Sequence, residues 1–384
     1  MVNLLGDADR GLSISRITAV IYGVAVMAGG KLRIPDDAKL FTRLLFMLQL
    51  LLILISIYNV SGEYTRVFDV SIFSCALIFV LLLWHQNFDP EAVFDGLIFF
   101  ALGAVVISTL GIAGYGVEYD IDGRLTLFGD NSNLVGVRMT VATMVLIFST
   151  VRFLGSKLWL SGIFGVMSLL TGLFMIETGS RVAALSLFAA LLIFYARYLM
   201  FGRKFIFGAV MIGLGVIVAV PYLIFATDIP LVERLQRSYY EGDLAGRGDV
   251  WSSYLDELRG VEDFVIGHGF SGFDRLANHL FGGFMSPHNV LVETLILGGS
   301  LGVTLFLAMN FLAVLAAVRQ LRLANRILPI MLLMPYLGSV LSGQTLNVKL
   351  MWVVVATCFA PFAAARATPR LHEQWRTTKT ASAA

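Results

Sequence analysis

Charge is scarce in this sequence: 14% of its 384 residues are Asp, Glu, Lys or Arg, against about 25% in an average soluble protein. So few charges cannot clothe a globule of this size in water, and a content of 58% apolar residues excludes a disordered chain. An excess of one sign is missing as well. Twenty-eight Lys and Arg face 26 Asp and Glu, a formal net charge of +2, so there is no overall basic field and nucleic acid is not expected as a partner. Cysteine is nearly absent, and both copies, Cys75 and Cys358, fall inside apolar runs. There they read as small hydrophobes, not as a disulfide or a metal site, and the redox compartment is not legible from them.

What the sequence does have is one long apolar run after another. A hydrocarbon core about 30 Å thick is crossed by about 20 helical residues. Runs of that kind lie near 14–30, 41–60, 70–86, 93–113, 133–150, 158–176, 181–200, 205–226, 290–318, 327–343 and 348–366. The expectation is an all-α polytopic membrane protein with about eleven transmembrane helices. The first run follows Arg10 and Arg16 in the manner of a signal peptide, but no small-x-small site precedes Gly29-Gly30-Lys31, and it is read as a retained helix.

Basic residues in short connections mark the cytoplasmic side. They fall in alternate loops: Lys31, Arg33, Lys39 and Arg43; Arg152 and Lys157; Arg197, Arg203 and Lys204; Arg319, Arg322 and Arg326; and the tail with Arg366, Arg370, Arg376 and Lys379. The opposite set is 61–69, the acidic 114–132, the turn at Glu177–Ser180 and the stretch 227–289, expected in the periplasm of a Gram-negative cell. This divides the chain into an N-terminal transmembrane bundle (1–226), a large periplasmic loop (227–289), and C-terminal transmembrane helices with a cytoplasmic tail (290–384). Only the middle part is long enough to form an ordered structure outside the membrane. Within it Trp251, Tyr254, Leu255 and Leu258 recur at helical spacing behind Asp249, a candidate N-cap, which predicts an amphipathic helix over 250–259. A second helical pattern covers Leu231–Tyr240, and the glycines of Glu241–Gly248 predict a turn or hinge.

Several residues in the outward set suit chemistry. Arg181 opens a span in the run Glu-Thr-Gly-Ser-Arg, where a cation reaches an anionic group at the mouth of the bundle; a snorkelling anchor is the plainer alternative. Arg138 lies inside the span that starts near Asn133, where a charge costs about 2.5–3.5 kcal/mol. It needs a ligand or an ion pair, with Glu177 or Glu293 as the structural partner. Arg247 sits between glycines in Gly-Arg-Gly-Asp-Val-Trp, a loop context in which guanidinium forks and backbone N–H groups converge on a diphosphate, unless it is an ordinary exposed loop arginine. His288, in Ser-Pro-His-Asn, stands at the start of a long span and titrates near neutrality, which suits a general base; a histidine bonded to nearby backbone is the alternative. Asn289 orients the ring or the acceptor, or caps the helix, and Glu293 is the next candidate base. His268, His279 and His288 have no zinc-site spacing, Asp120-Ile-Asp122 reads as solvated loop charge before it reads as a divalent-ion site, and the aromatics of the loop, Trp251 among them, suit either sugar stacking or packing. No metal and no cofactor are expected.

In order, the segments Leu127–Gly136 (LFGDNSNLVG), Gly179–Leu187 (GSRVAALSL), Gly246–Trp251 (GRGDVW), Ile266–Phe273 (IGHGFSGF) and Pro287–Gly302 (PHNVLVETLILGGSLG) resemble the O-antigen ligase and O-antigen polymerase superfamily. The resemblance implies a C-type glycosyltransferase-like fold and transfer of a glycan from undecaprenyl diphosphate on the periplasmic face of the inner membrane. It places the functional arginines at Arg181 and Arg247 and the functional histidine at His288; it assigns no role to Arg138, which with Asn289, Trp251 and Glu293 is expected to contact substrate on the reading of the residues alone. Implied partners are the lipid-linked glycan donor, a glycan or lipid A core acceptor, membrane lipids and a chain-length regulator. The stretch Gly29–Phe46 leans toward a polymerase, with a ligase as the alternative and a lipid-linked-glycan transporter as an alternative of another class.

Overall fold

The structure is a computed structural model that describes residues 14–28, 33–89, 91–120, 123–201, 231–232, 234, 247–343 and 346–361. Helices stand at the expected spans: α1 (Ile14–Ala28), α2 (Asp36–Tyr58), α3 (Val70–Gln86), α4 (Ala92–Ile112), α5 (Ser132–Leu154), α6 (Leu158–Glu177) and α7 (Arg181–Phe201). The expected span at 205–226 lies outside the described residues. Three short helices follow, α8 (Arg247–Glu257), α9 (Val261–Ile266) and α10 (Gly269–Phe281), then α11 (Val290–Ala324), α12 (Leu328–Ser342) and α13 (Lys349–Thr357). Among the described residues five helices, α2, α4, α5, α6 and α11, are long and apolar enough to cross a membrane. The protein is an all-α polytopic membrane protein, with one small addition. The acidic loop folds into a hairpin of β1 (Val117–Tyr119) against β2 (Leu125–Leu127), with Val117 opposite Leu127.

Helix α5 is the central post, in contact with α4, α6, α7 and α12. Hydroxyls inside it are satisfied locally: Thr143 and Ser149 donate to their own Met139 and Val145 carbonyls, and Thr143 also meets Thr171 of α6 at 2.8 Å. Gly136 lets the turn before α7 rest directly on α5, since a Cβ there would stand 2.7 Å from both Ser180 Cβ and Thr178 Oγ1. That contact fixes where Arg181 begins its helix. On the other side Phe41, Phe79, Trp352 and Phe359 form an aromatic knot, with ring centroids 4.9 to 6.2 Å apart, that ties α2 and α3 to α13 and the residues after it.

The connections gather in two groups. At one end Glu91 meets Arg152 and Arg326, Arg319 meets Asp37, Arg197 bonds Asn325, and Asn87 bonds the Arg33 carbonyl. These are loops that the charge alternation assigns to one side. At the other end the 59–69 loop, the hairpin, the turn before α7 and the helices α8 to α10 come together. Helix α11 is broken there. Gly299 has φ +60°, and a Cβ on it would lie 2.2 Å from the Val265 carbonyl oxygen, so the α9–α10 junction plugs the break and His268 N–H donates to the exposed Ile296 carbonyl at 2.8 Å. Phe270 N–H donates to Ser56 Oγ and Ser271 Oγ to the Ser56 carbonyl, at 2.7 and 2.6 Å, which seats α10 on the end of α2.

Two details of the expected amphipathic helix change. It begins at Arg247, so Arg247 and Gly248 are helical and not part of a glycine hinge, and Asp249 sits in the first turn instead of capping it. A Cβ at Gly248 would meet open space, so that glycine is not there for close approach. Of the predicted stripe Tyr254 is fully buried and Leu258 buried, but Leu255 is 44% exposed: the buried face follows the Tyr254 ring, which stacks on Phe273 at 5.6 Å, and leaves its neighbour outside. Residues 235–246, including most of the second helical pattern and the hinge, lie outside the described residues.

Candidate active site

The site is built on a three-residue strap, Met285 to Pro287, that leads into α11. Helix α8 holds this strap by two hydrogen bonds from its buried side: Trp251 Nε1 donates to the Pro287 carbonyl at 2.7 Å and Tyr254 O–H to the Met285 carbonyl at 2.5 Å. Trp251 thus spends its polar edge on protein, as a positioning residue for His288, and its sugar-stacking role is not needed to explain it. His288 itself adopts a left-handed backbone conformation, φ +49°, with its N–H donating to Ser286 Oγ at 3.2 Å. Few side chains other than Asn, Asp and His settle there, and such conformations concentrate at functional positions. Asn289 resolves to the cap alternative: its Oδ1 accepts from Leu291 and Val292 N–H at 2.9 and 3.3 Å, which occupies the atom expected to orient the ring.

His288 opens onto a cavity of about 120 Å³ that also takes in Asn131, Asn133 and Leu134 from the start of α5, Val182 from α7, and Ser339, Ser342 and Gly343 from the end of α12. The cavity joins the LFGDNSNLVG, GSRVAALSL and PHNV segments, which lie far apart in sequence. No arginine among the described residues lines it, and the nearby cations are linked to it through His288. Arg247 is held below its ordinary value first by burial and then by the like charges of Arg181 and Arg124. Its charge in turn reaches His288, whose ring is pushed below the usual histidine range first by burial and second by Arg247. Both effects favour a neutral imidazole, the form that takes up a proton.

The arginines are positioned from three directions. Arg181 opens α7 after the tight turn at Gly179, and its Nη1 donates to the Arg234 carbonyl at 3.5 Å while Arg234 Nη1 donates to the Gly179 carbonyl at 3.1 Å, lacing the long loop to that turn. Arg247 is the first residue of α8 and half-buried. Arg124, which the sequence reading passed over, arrives on the hairpin, tied to Asp120 at 2.6 Å. Its signal was present as the lone cation of an acidic loop, but only the β1–β2 register carries it to Arg247. The same pair accounts for Asp120; Asp122 lies outside the described residues.

Two expected substrate contacts have other partners. Arg138 pairs with Asp130, not with Glu177 or Glu293, because Asp130 ends the hairpin directly above the first turns of α5. Glu293 points away from the arginine cluster into a region where Asp69 and Arg66 are its charged neighbours, and its Oε2 is buried without a hydrogen-bond partner among the described residues. The structure therefore links Arg247 to His288 and to Arg181 and Arg124, while Arg138 is paired with Asp130 and the charged neighbours of Glu293 are Asp69 and Arg66.

A comparison of the sequence with known families bears on the general type of protein. Residues 165–307 match the O-antigen ligase family. That segment runs from α6 through the first half of α11 and contains Arg181, Arg247 and His288, while the LFGDNSNLVG segment precedes it. The match supports the O-antigen ligase and polymerase superfamily, and with it an enzyme of that general type in a multi-pass bacterial membrane protein. No curated protein matches the chain.

Proposed function

We propose that the protein is a periplasm-facing glycosyltransferase that moves a glycan from undecaprenyl diphosphate onto an acceptor hydroxyl, by a single inverting displacement and without a metal ion. The observation that carries this reading is the cavity at His288 that joins three distant segments of the chain, with the charge of Arg247 reaching the ring. His288 takes the proton of the acceptor hydroxyl as its oxygen attacks the anomeric carbon. The bond from that carbon to the diphosphate oxygen breaks, and the electron pair stays on the diphosphate. Arg181 and Arg247 hold the charge that develops there, with forked donors that match phosphate oxygens better than a lysine ammonium does. Two such guanidiniums supply the charge stabilisation for which other enzymes use a divalent ion.

The acceptor decides between subtypes. We favour a surface-polysaccharide polymerase, whose acceptor is another lipid-linked glycan; the description of the matched family favours a ligase, whose acceptor is lipid A core. Deletion of the gene, followed by analysis of lipid-linked and lipid A-linked glycans, separates them. Loss of a polymerase leaves single repeat units on the acceptor, and loss of a ligase leaves long chains stranded on undecaprenyl diphosphate. Units accumulating on the cytoplasmic face would overturn the enzyme reading in favour of a transporter.

A further inference from the structure

A second cavity, of about 250 Å³, opens at the same end of the molecule and is lined by Glu63, Tyr64, Asp274, Asn278, Gly283 and Phe284. It shares no lining residue with the His288 cavity, and its chemistry is the reverse of the arginine cluster. Asn278 Nδ2 donates to the Tyr64 oxygen at 2.6 Å, which leaves the phenol proton to donate onward and the Asn278 carbonyl to accept. Asp274 is anchored through Oδ1 to Arg66 at 2.7 Å, so its second oxygen keeps a fixed place at the wall. Glu63 is exposed. Phe284 keeps 65% of its surface exposed even though its ring is set edge-to-face on Phe273 at 5.8 Å, so a held aromatic face is offered to solvent.

A fixed donor, several acceptors and one flat apolar face are the complement of a pyranose ring, whose hydroxyls both give and take hydrogen bonds and whose C–H face packs on an aromatic. The exposed Glu63 carboxylate disfavours anions, the charge of Asp274 being offset by Arg66, so uronic acids and phosphates are disfavoured and a sugar bearing hydroxyls or an amine is preferred. The location adds a role. Phe284 and His288 are four residues apart on one strap, at most about 14 Å along the chain, so a glycan resting on Phe284 has its next rings within reach of the histidine. On the transferase reading the donor diphosphate belongs with the arginines, and Glu63 would repel it here.

We propose that this cavity is the acceptor subsite and binds a neutral or amino-sugar ring of the acceptor glycan. Naming the acceptor rests on the transferase reading above; the binding of such a sugar does not. The test uses the full-length protein in lipid nanodiscs and saturation-transfer NMR with three trisaccharides, of glucosamine, of glucose (maltotriose) and of galacturonic acid. Saturation should pass to the first two and not to the third. Glu63→Gln and Phe284→Ala, which alter exposed side chains and leave the core intact, should each weaken binding by about tenfold, the scale of one charge-assisted contact. Absence of transfer to all three sugars, preference for the galacturonic trimer, or unchanged binding by both variants would overturn the site. In a transfer assay the same variants should raise KM for the acceptor and leave KM for the lipid-linked donor unchanged. A rise confined to the donor would overturn the acceptor assignment. If no glycosyl transfer is found but the sugars bind as expected, it is the transferase reading that fails and not the subsite.

Discussion

At one end of the bundle guanidiniums face carboxylates: Glu91 takes Arg152 at 3.5 Å and Arg326 at 3.3 Å, and Asp37 takes Arg319 at 3.6 Å. At the other end the charges that act on Arg247 belong to Arg181 and Arg124. Both ends are rich in arginine, and composition alone does not tell them apart. The first arrangement is what a protein needs to balance its own surface, and exposed pairs of that kind contribute about 0–1 kcal/mol each. The second sets like charges near one another, beside pairs of its own such as Arg124 with Asp120, and the charge of Arg247 reaches His288.

The contrast can be broken by mutation at either end. The largest expected effect is at His288: His288→Ala should slow transfer by about 10² to 10⁴, the usual contribution of a positioned base, while donor binding in the same nanodiscs is retained. Arg181→Lys and Arg247→Lys keep charge but lose the fork, and each should slow transfer by about 10²-fold with no sensitivity of the wild type to EDTA. An undiminished rate in either variant, or loss of wild-type activity on chelation, would remove the arginines from the mechanism. The pH profile sharpens the coupling. Protonated His288 is inactive as a base, so activity should rise with pH through an apparent pKa below the ordinary histidine value of about 6.5. Arg247→Gln should move that midpoint upward, since a like charge is removed, whatever it does to the rate. Smaller still, Trp251→Phe keeps the ring but loses the bond to the Pro287 carbonyl, and a fall in kcat of about fivefold with KM nearly unchanged would mark a loosened strap. Arg319→Gln at the opposite end should change transfer by less than about twofold.

How much of this was legible in the sequence follows from the range of each signal. Spans are local and apolar, and a helix stands at each described run, but α13 stops at Thr357, short of the end of the expected span 348–366, because the chain turns at Cys358 and Phe359. Arg181 and His288 were legible because each stands at the boundary of a span, where topology alone restricts its position. Arg124 was not, because an arginine in a loop gains a neighbour only through strand register. The partner of Arg138 was missed for the same reason: Asp130 is close in sequence, but the hairpin decides that it turns back over α5. Asn289 shows a local signal, a cap legible from its place at a helix start. The break at Gly299 is silent in an apolar run that reads as one continuous span, since its cause is the α9–α10 junction about thirty residues earlier pressing on the backbone.

The central claim, that the arginine cluster is a diphosphate site, is tested most directly by binding without turnover. Undecaprenyl diphosphate, titrated in EDTA into nanodiscs carrying the wild type, should bind with an affinity that falls about tenfold or more in Arg181→Lys and in Arg247→Lys and is unaltered in Arg319→Gln. Equal affinity across all four proteins, or binding that requires a divalent ion, would contradict the account.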